Sequence, residues 1–329
     1  MKSIAIMGLG NFGTALACIW LGEGLDVRGW TVEQEVFDSI QSTGVNKKYL
    51  DDVSLDGLKV SMDIAETVDG AEIVVLALPS TVVLSVVDDL MPYINNDQIL
   101  LDLAKGLAPG DRLISAVIEE KLTAANLECR LCVMMGPTIA PELARGVYTT
   151  SLVTSSDFEL AQDVARILAT ETLRLSAATD CLGSEYWGAF KNVIALACGV
   201  VDGLKVDGRG GDNLKAAVFT AGYREAVRVL PLLGADPDTA LSAAGIGDLF
   251  VTATSPHGRN REMGERLGKG QALAQAESEM VMVSEGVRAA RMFGHLFAGK
   301  GIDAPFVDAV CALLDEGASI GEFLEKAVG

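Results

Sequence analysis

The sequence predicts an α/β chain in two parts: a doubly wound parallel sheet over residues 1–180, followed by an all-α domain over residues 181–329. Three observations predict it. The chain opens on a short apolar strand, a glycine-punctuated turn and a helical pattern. Apolar runs without polar alternation then recur, most of them separated by helical segments, and the strand pattern stops near Thr179. At 329 residues the chain is long for one core, which also favours two domains.

Ser3 to Met7 reads as the first strand. Gly8-Leu9-Gly10-Asn11-Phe12-Gly13 follows, and then "TALACIWLGEG", which has helical spacing and a glycine stop at Gly24. "DVRGW", Asp26 to Trp30, is the second strand. A lone G-x-G-x-x-G is a weak signal, but the strand, turn, helix, strand context makes it a strong one. Gly8 permits the tight turn, Gly10 lets backbone approach a pyrophosphate, and Gly13 lets the helix pack on the strand. The helix N-terminus supplies N–H donors. This is the pattern of a Rossmann dinucleotide-binding domain.

Further buried strands are expected in "EIVVLALPS" (Glu72 to Ser80), "QILLDLAKG" (Gln98 to Gly106), "RLCVMMGPT" (Arg130 to Thr138) and "TTSLVTSS" (Thr149 to Ser156). In a doubly wound sheet the ligand crevice lies at the carboxyl ends of the strands. Pro79-Ser80, Lys105-Gly106 and Gly136-Pro137-Thr138 all fall at such ends, so three strands aim unusual residues at one place. The helical segments of the second part are Cys181 to Gly203, Leu214 to Leu233, Pro237 to Ala244, Asn260 to Leu267, Gln271 to Met280, Val287 to Phe297 and Phe306 to Asp315.

The first of these helices, containing "GSEYWGAFKNVIALACGVVDGL", is apolar almost all round its wheel yet carries Lys191 and Asn192. A helix without a polar face is interior, and an unpaired ammonium there costs on the order of several kcal/mol. The positions three and four residues away are Trp187, Gly188, Ile194 and Ala195, so no local carboxylate relieves it. Either Lys191 snorkels to a surface, or a residue distant in sequence meets it in a cleft near the junction of the two parts.

Acidic residues outnumber basic ones 45 to 26, for a formal charge of -19. Nucleic acid and anionic membranes are therefore poor partners, and basic residues converging on one crevice would be a local exception. The start does not read as a signal peptide and no apolar run is long enough to span a bilayer, so a soluble, cytoplasmic protein is expected. Cys129 and Cys132 form a CxxC in a buried strand with no second pair, which favours a structural role; no metal site is expected.

A nicotinamide cofactor makes hydride transfer the expected chemistry, and ketone reduction needs a proton donor for the developing alkoxide. A lysine, ordinarily near pKa about 10.4, is tuned downward by desolvation and neighbouring cations. "AAGIGDLFVTATS" places Asp248 in a glycine-flanked turn with Thr252 one helical turn on, and "HGRNREMG" puts Arg259, Asn260 and Arg261 at the start of a helix. Taken singly, Asp248 reads as an N-cap and Arg259 as a solvated charge. Together they read as a carboxylate that orients an ammonium and an Arg/Asn fork that holds a phosphate.

The set "GLGNFGTALA", "NKKYL", "LALPS", "AKGL", "GPTIAPELARG", "GAFKNVIALACGVVDGL", "GIGDL", "GRNR" and "SEGV" resembles the glycerol-3-phosphate dehydrogenase family in order and spacing, from Met1 to about Arg291. The resemblance implies interconversion of dihydroxyacetone phosphate and sn-glycerol 3-phosphate, feeding phospholipid synthesis, by a homodimer. It implies Lys191 as proton acceptor and Lys105, Gly136, Thr138, Asn192, Asp248, Thr252, Arg259 and Asn260 around the substrate. Asn11, Phe12, Ala140, Val283 and Glu285 match cofactor contacts, beside Gly8, Gly10, Gly13, Pro79 and Lys105, with Arg259 shared between the two ligands.

Three departures surround this set. Gly258 stands where the family usually has Ser, Thr220-Ala221-Gly222 replaces Thr-Arg-Gly, and the loop from Lys205 to Asn213 is a few residues longer, with Arg209 in it. For cofactor choice, the end of the second strand carries Val32 and then Glu33, Gln34 and Glu35, where a 2'-phosphate would want an arginine. A carboxylate such as Glu33 suits a ribose hydroxyl and repels a phosphate, so NAD is favoured over NADP. The rivals are another two-domain reductase of a small ketone or ketoacid, which needs no phosphate fork, and a dinucleotide-sensing protein without turnover, for which a buried lysine would be expendable.

Overall fold

Runs that are apolar on both sides become strands buried on both faces. In this computed structural model, which describes residues 2–256, 258–280 and 284–329, β1 (Ser3–Met7), β2 (Asp26–Trp30), β3 (Lys59–Ser61), β4 (Ile73–Leu76) and β5 (Ile99–Asp102) are strands of one sheet. A small hairpin of β6 (Leu107–Ala108) and β7 (Arg112–Leu113) stands apart from it, and β8 (Arg130–Met135), β9 (Thr149–Thr154) and β10 (Leu173–Ala178) complete the sheet. Its order is β10-β9-β8-β5-β4-β1-β2-β3. Ile4 and Ile6 face one apolar layer while Ala5 and Met7 face the other, which is why the sequence shows no polar alternation.

Helices cover the strands: α1 (Asn11–Gly22), α2 (Gln34–Thr43), α3 (Ile64–Val68), α4 (Val83–Leu90), α5 (Ile114–Ala124), α6 (Ala140–Ala144) and α7 (Phe158–Leu168). The order places β1 between β4 and β2, the reversal expected of a doubly wound sheet. One pairing departs from the parallel pattern: β9 runs antiparallel to β8, joined to it only through the five-residue α6. The full crossover by α7 restores a parallel pair of β9 with β10. Neither β10 nor the three-residue edge strand β3 was apparent from the sequence. In β10 exposed Arg174 and Ser176 break the apolar run, as suits an edge.

The chain divides into two compact units, Met1–Ala108 with Arg112–Cys181, and Pro109–Asp111 with Leu182–Gly329. The second is helical: α8 (Cys181–Gly203), α9 (Asp212–Val229), α10 (Asp248–Thr254), α11 (Arg259–Gly268), α12 (Leu273–Glu279), α13 (Glu285–Lys300), α14 (Pro305–Cys311) and α15 (Ile320–Val328). The segment Pro237 to Ala244, expected as one helix, is a 3-10 turn over Pro237–Leu241 and then a tight turn over Ala243–Gly247. Helix α9 ends at Val229 and passes into a 3-10 turn at Pro231, whose ring cannot continue the ladder.

Helix α8 is buried along nearly its whole length. Phe190 packs edge-on against Phe293 of α13 at 4.9 Å between ring centroids. On another side, glycines of α8 and α11 face each other's backbone. A Cβ added at Gly264 would stand 1.9 Å from Leu196 O, one at Gly199 would stand 2.1 Å from Arg261 O, and one at Gly268 would stand 2.1 Å from Val200 O. Backbone touches backbone here, and the N-terminus of α11 is thereby fixed against the middle of α8. Among the described residues no helix is long and apolar enough to cross a membrane.

Candidate active site

In the first unit the glycine turn has the geometry that its spacing predicts. Gly8 has φ +103°, and a Cβ on it would lie 2.7 Å from Ala77 O; a Cβ on Gly13 would lie 1.9 Å from Gly8 O. A Cβ on Gly10 would meet nothing beyond its chain neighbours within 4 Å, so this side stays open. Helix α1 starts beside this opening at Asn11 and Phe12, with Gly10 as its N-cap and no side-chain cap. The first N–H groups of such a helix lack intrahelical partners and suit an anion. Open space at Gly10 beside an uncapped helix N-terminus fits a dinucleotide diphosphate.

The loop is held from behind. Thr14 Oγ1 donates to Leu9 O at 3.1 Å, and the fully buried Asn46 donates from Nδ2 to Leu9 O and to Thr14 Oγ1, each at 2.9 Å.

At the end of β2, Val32 is exposed and Glu33 is the N-cap of α2. Glu33 does not stand as a lone carboxylate. Lys48 Nζ lies 2.5 Å from its Oε2, and Tyr49 Oη donates to its Oε1 at 2.7 Å. Lys48 also bonds the Glu35 carboxylate. Burial would raise the Glu33 carboxyl, but the bonds from Lys48 and Tyr49 outweigh it and hold the group below its ordinary range. Repulsion of a phosphate at this position is therefore weaker than the sequence alone implied.

The other strand ends of this unit do converge. Lys105 Nζ donates to Gly136 O at 2.8 Å, and Thr138 Oγ1 lies 3.4 Å from the same oxygen. Gly136 has φ +155°, and a Cβ there would stand 2.6 Å from Ser151 Oγ. Pro79 and Ser80 follow β4, where Gly106 packs so closely on Ser80 that a Cβ would meet Ser80 Oγ at 2.7 Å. Ala140 opens α6.

In the second unit Lys191 has a partner. Its Nζ lies 2.5 Å from Asp248 Oδ1, with the two side chains only 5% and 3% exposed. Asp248 is the first residue of α10 rather than part of a loop, and the turn before it places it there. Ser242 Oγ accepts from the Ala244 and Gly245 N–H groups, and Gly245 sits so close to Thr239 that a Cβ would be 2.4 Å from its carbonyl oxygen. Thr252, one helical turn on, donates to Asp248 O at 2.7 Å and lies 3.4 Å from Asp248 Oδ1.

Asn192 and Asn260 are also brought together. Asn260 Nδ2 donates to Asn192 Oδ1 at 2.8 Å, while Asn260 Oδ1 accepts from Ser284 Oγ at 2.9 Å and from Gly286 N at 2.8 Å. Asn260 therefore ties α8, α11 and the start of α13, where Glu285 is the first residue. Arg259 opens α11, with Gly258 as N-cap. Val283 lies outside the described residues.

Sequence reasoning missed one part of this architecture. Asp202, at the end of α8, receives Lys215 Nζ at 2.7 Å and Arg261 Nη1 at 2.8 Å. Arg261 also donates from Nε to Ser255 O and from Nη2 to Pro256 O, each at 3.0 Å, and so grips the loop leading to Arg259. Burial would raise the Asp202 carboxyl, but hydrogen bonds from Lys215 and Arg261 prevail and lower it. The available signal was a carboxylate at the end of a helix that is apolar almost all round its wheel.

A doubly wound sheet with an open glycine turn, followed by a helical unit that buries a lysine–carboxylate pair, defines a two-domain, dinucleotide-dependent dehydrogenase. The comparisons are more specific. Residues 3–161 match the N-terminal model, and residues 180–325 the C-terminal model, of NAD-dependent glycerol-3-phosphate dehydrogenase. The chain belongs to that family, and is an NAD(P)-dependent oxidoreductase. It is 36% identical over 320 residues to the glycerol-3-phosphate dehydrogenase (NAD(P)+) of Clostridium perfringens, covering 97% of this chain and 94% of the relative. It is 37% identical over 324 residues to that of Moorella thermoacetica, covering 98% and 94%. A crystal structure of glycerol-3-phosphate dehydrogenase from Coxiella burnetii superposes with a TM-score of 0.88 at 30% identity, covering 98% of each chain. A ketopantoate reductase from Ralstonia eutropha, at 18% identity and TM-score 0.63, shares the fold alone.

Proposed function

We propose that this chain interconverts dihydroxyacetone phosphate and sn-glycerol 3-phosphate, with residues 1–180 binding NAD(H) or NADP(H) and residues 181–329 supplying the proton-transfer groups. The observation that carries this reading is the buried Lys191–Asp248 pair. A cation so placed needs a reason, and proton transfer at a carbonyl oxygen is one.

Gly8, Gly10, Asn11, Phe12 and Gly13 would hold the coenzyme diphosphate, Glu33 its adenosine ribose, and Pro79, Lys105, Ala140, Arg259, Val283 and Glu285 the remainder. When bound, the coenzyme supplies or accepts a hydride at its nicotinamide ring. In the reducing direction Lys191 gives its proton to the carbonyl oxygen, and in the oxidising direction it takes that proton back from the hydroxyl. Asp248 fixes the ammonium through its carboxylate and Thr252 steadies Asp248. Arg259, next in sequence to Asn260, which holds Asn192, suits the substrate phosphate; the family resemblance also assigns Lys105, Gly136 and Thr138 to the substrate. Glu33 favours NADH. A cytoplasmic homodimer that supplies glycerophospholipid synthesis completes the reading.

The test is the rate of NADH and of NADPH oxidation by the purified protein with dihydroxyacetone phosphate, beside Lys191→Ala. Turnover that the substitution abolishes supports reaction, substrate and proton donor together. An undiminished rate in Lys191→Ala, or tight coenzyme binding with no turnover, would overturn the reading.

A further inference from the structure

The segment Asn46–Leu50 joins the two ends of the nucleotide cradle. It closes on itself, with Tyr49 N and Leu50 N donating to Asn46 O at 3.3 and 3.0 Å. At one end the buried Asn46 holds Leu9 O, in the heart of the glycine turn, at 2.9 Å. Two residues on, Lys48 reaches the Glu33 and Glu35 carboxylates, and Tyr49 hydrogen-bonds Glu33. An ammonium group on an anchored turn is thus held at the carboxyl end of β2. Glu33 stands about 20 residues beyond the last glycine of the motif, the place from which an acidic residue reads the ribose 2' position.

The electrostatics there differ from those of an acidic strand end. Two carboxylates alone would exclude a 2'-phosphate, whereas Lys48 offsets one of them and is a cation already in place. Burial and the Glu33 charge push the Tyr49 hydroxyl above its ordinary pKa, so it stays a donor to Glu33. Lysine is a compact charge on a flexible stem, 40% exposed here, and is able to exchange a carboxylate for a phosphate without moving the backbone.

We propose that Lys48 is the specificity-determining residue at the coenzyme 2' position: Glu33 and Glu35 hold it while Glu33 reads a ribose hydroxyl, and it pairs with the phosphate when NADPH replaces NADH. This rests on the glycine turn being the coenzyme site. The carboxylates and Lys48 compete for one another and for the ligand, so coenzyme preference is set by the balance of three side chains rather than by Glu33 alone.

The test is calorimetric titration, without substrate, of NADH, NADPH, AMP and adenosine 2',5'-bisphosphate into the unaltered protein, Lys48→Ala, Glu33→Gln/Glu35→Gln and the triple variant. Lys48→Ala should weaken NADPH and the bisphosphate by about tenfold while changing NADH and AMP by about twofold or less. Glu33→Gln/Glu35→Gln should tighten NADPH relative to NADH by about tenfold, and the triple variant should lose that gain. Equal weakening of both coenzymes by Lys48→Ala, or a gain that survives loss of Lys48, would overturn the proposal while leaving the coenzyme site intact. Binding of neither coenzyme to the unaltered protein would overturn the coenzyme site itself, and this proposal with it.

Discussion

Lys191 of α8 and Asp248 of α10 form an ion pair at 2.5 Å with both side chains almost wholly out of solvent. Removing one partner of such a pair leaves a buried charge, whereas removing both does not. Asp248→Leu should therefore destabilise the protein by about 3–5 kcal/mol, and adding Lys191→Met should recover a large part of that loss. Urea unfolding of the two single variants and the double variant measures this. Additive losses would show that the pair is not coupled. Turnover, by contrast, should be lost in all three.

Arg259 and Lys191 should separate in kinetics. Arg259 opens α11, where its guanidinium suits a phosphate present equally in ground and transition states. Arg259→Ala should raise KM for dihydroxyacetone phosphate by about tenfold to a hundredfold, the worth of a charge-assisted hydrogen bond, with a smaller change in kcat. Lys191→Ala should lower kcat instead. Equal losses of turnover with unchanged KM would refute this division of roles.

The contact that sets α11 against α8 admits no side chain. A Cβ at Gly264 would lie 1.9 Å from Leu196 O, and backbone cannot rotate away as a flexible side chain can. Gly264→Ala should cost about 3 kcal/mol or more, at the upper end of overpacking penalties, and should reduce activity because α11 carries Arg259 and Asn260. A thermal midpoint within about 2 °C of the parent would show that the helices separate freely.

How much of this was legible follows from which interactions are local. The glycine turn, the buried strands and the helix bearing Lys191 and Asn192 each write their structure into adjacent residues, and all were read correctly. That Lys191 must either snorkel to a surface or meet a residue distant in sequence was also legible, since no carboxylate stands a turn away; the structure shows the second. Asn260 was anticipated as half of a phosphate fork, but its links to Asn192, Ser284 and Gly286 join three helices and have no local pattern. Glu33 was misread in degree, because Lys48 and Tyr49 come from a different turn of the chain. The glycines of α8 and α11 face backbone more than sixty residues away in the chain, a contact that no local pattern records.

The Asp202 network gives a pH dependence whose sign is fixed. Lys215 and Arg261 hold the Asp202 carboxyl below its ordinary value against the opposing effect of burial. Around that range the unfolded chain binds more protons than the native one, so stability rises with pH. The contribution is present at neutral pH and is lost as pH falls from the unfolded aspartate value, about 3.9, through the native one. Asp202→Asn should cost about 3 kcal/mol at pH 7, because Lys215 and Arg261 lose their buried carboxylate, and should flatten the acid limb of the stability curve. Because Arg261 also holds Ser255 O and Pro256 O, the same substitution should loosen the approach to Arg259 and raise KM for the substrate. Unfolding free energies for parent and variant between pH 7 and pH 3 test both halves; parallel curves would show that Asp202 titrates alike in the native and unfolded chains.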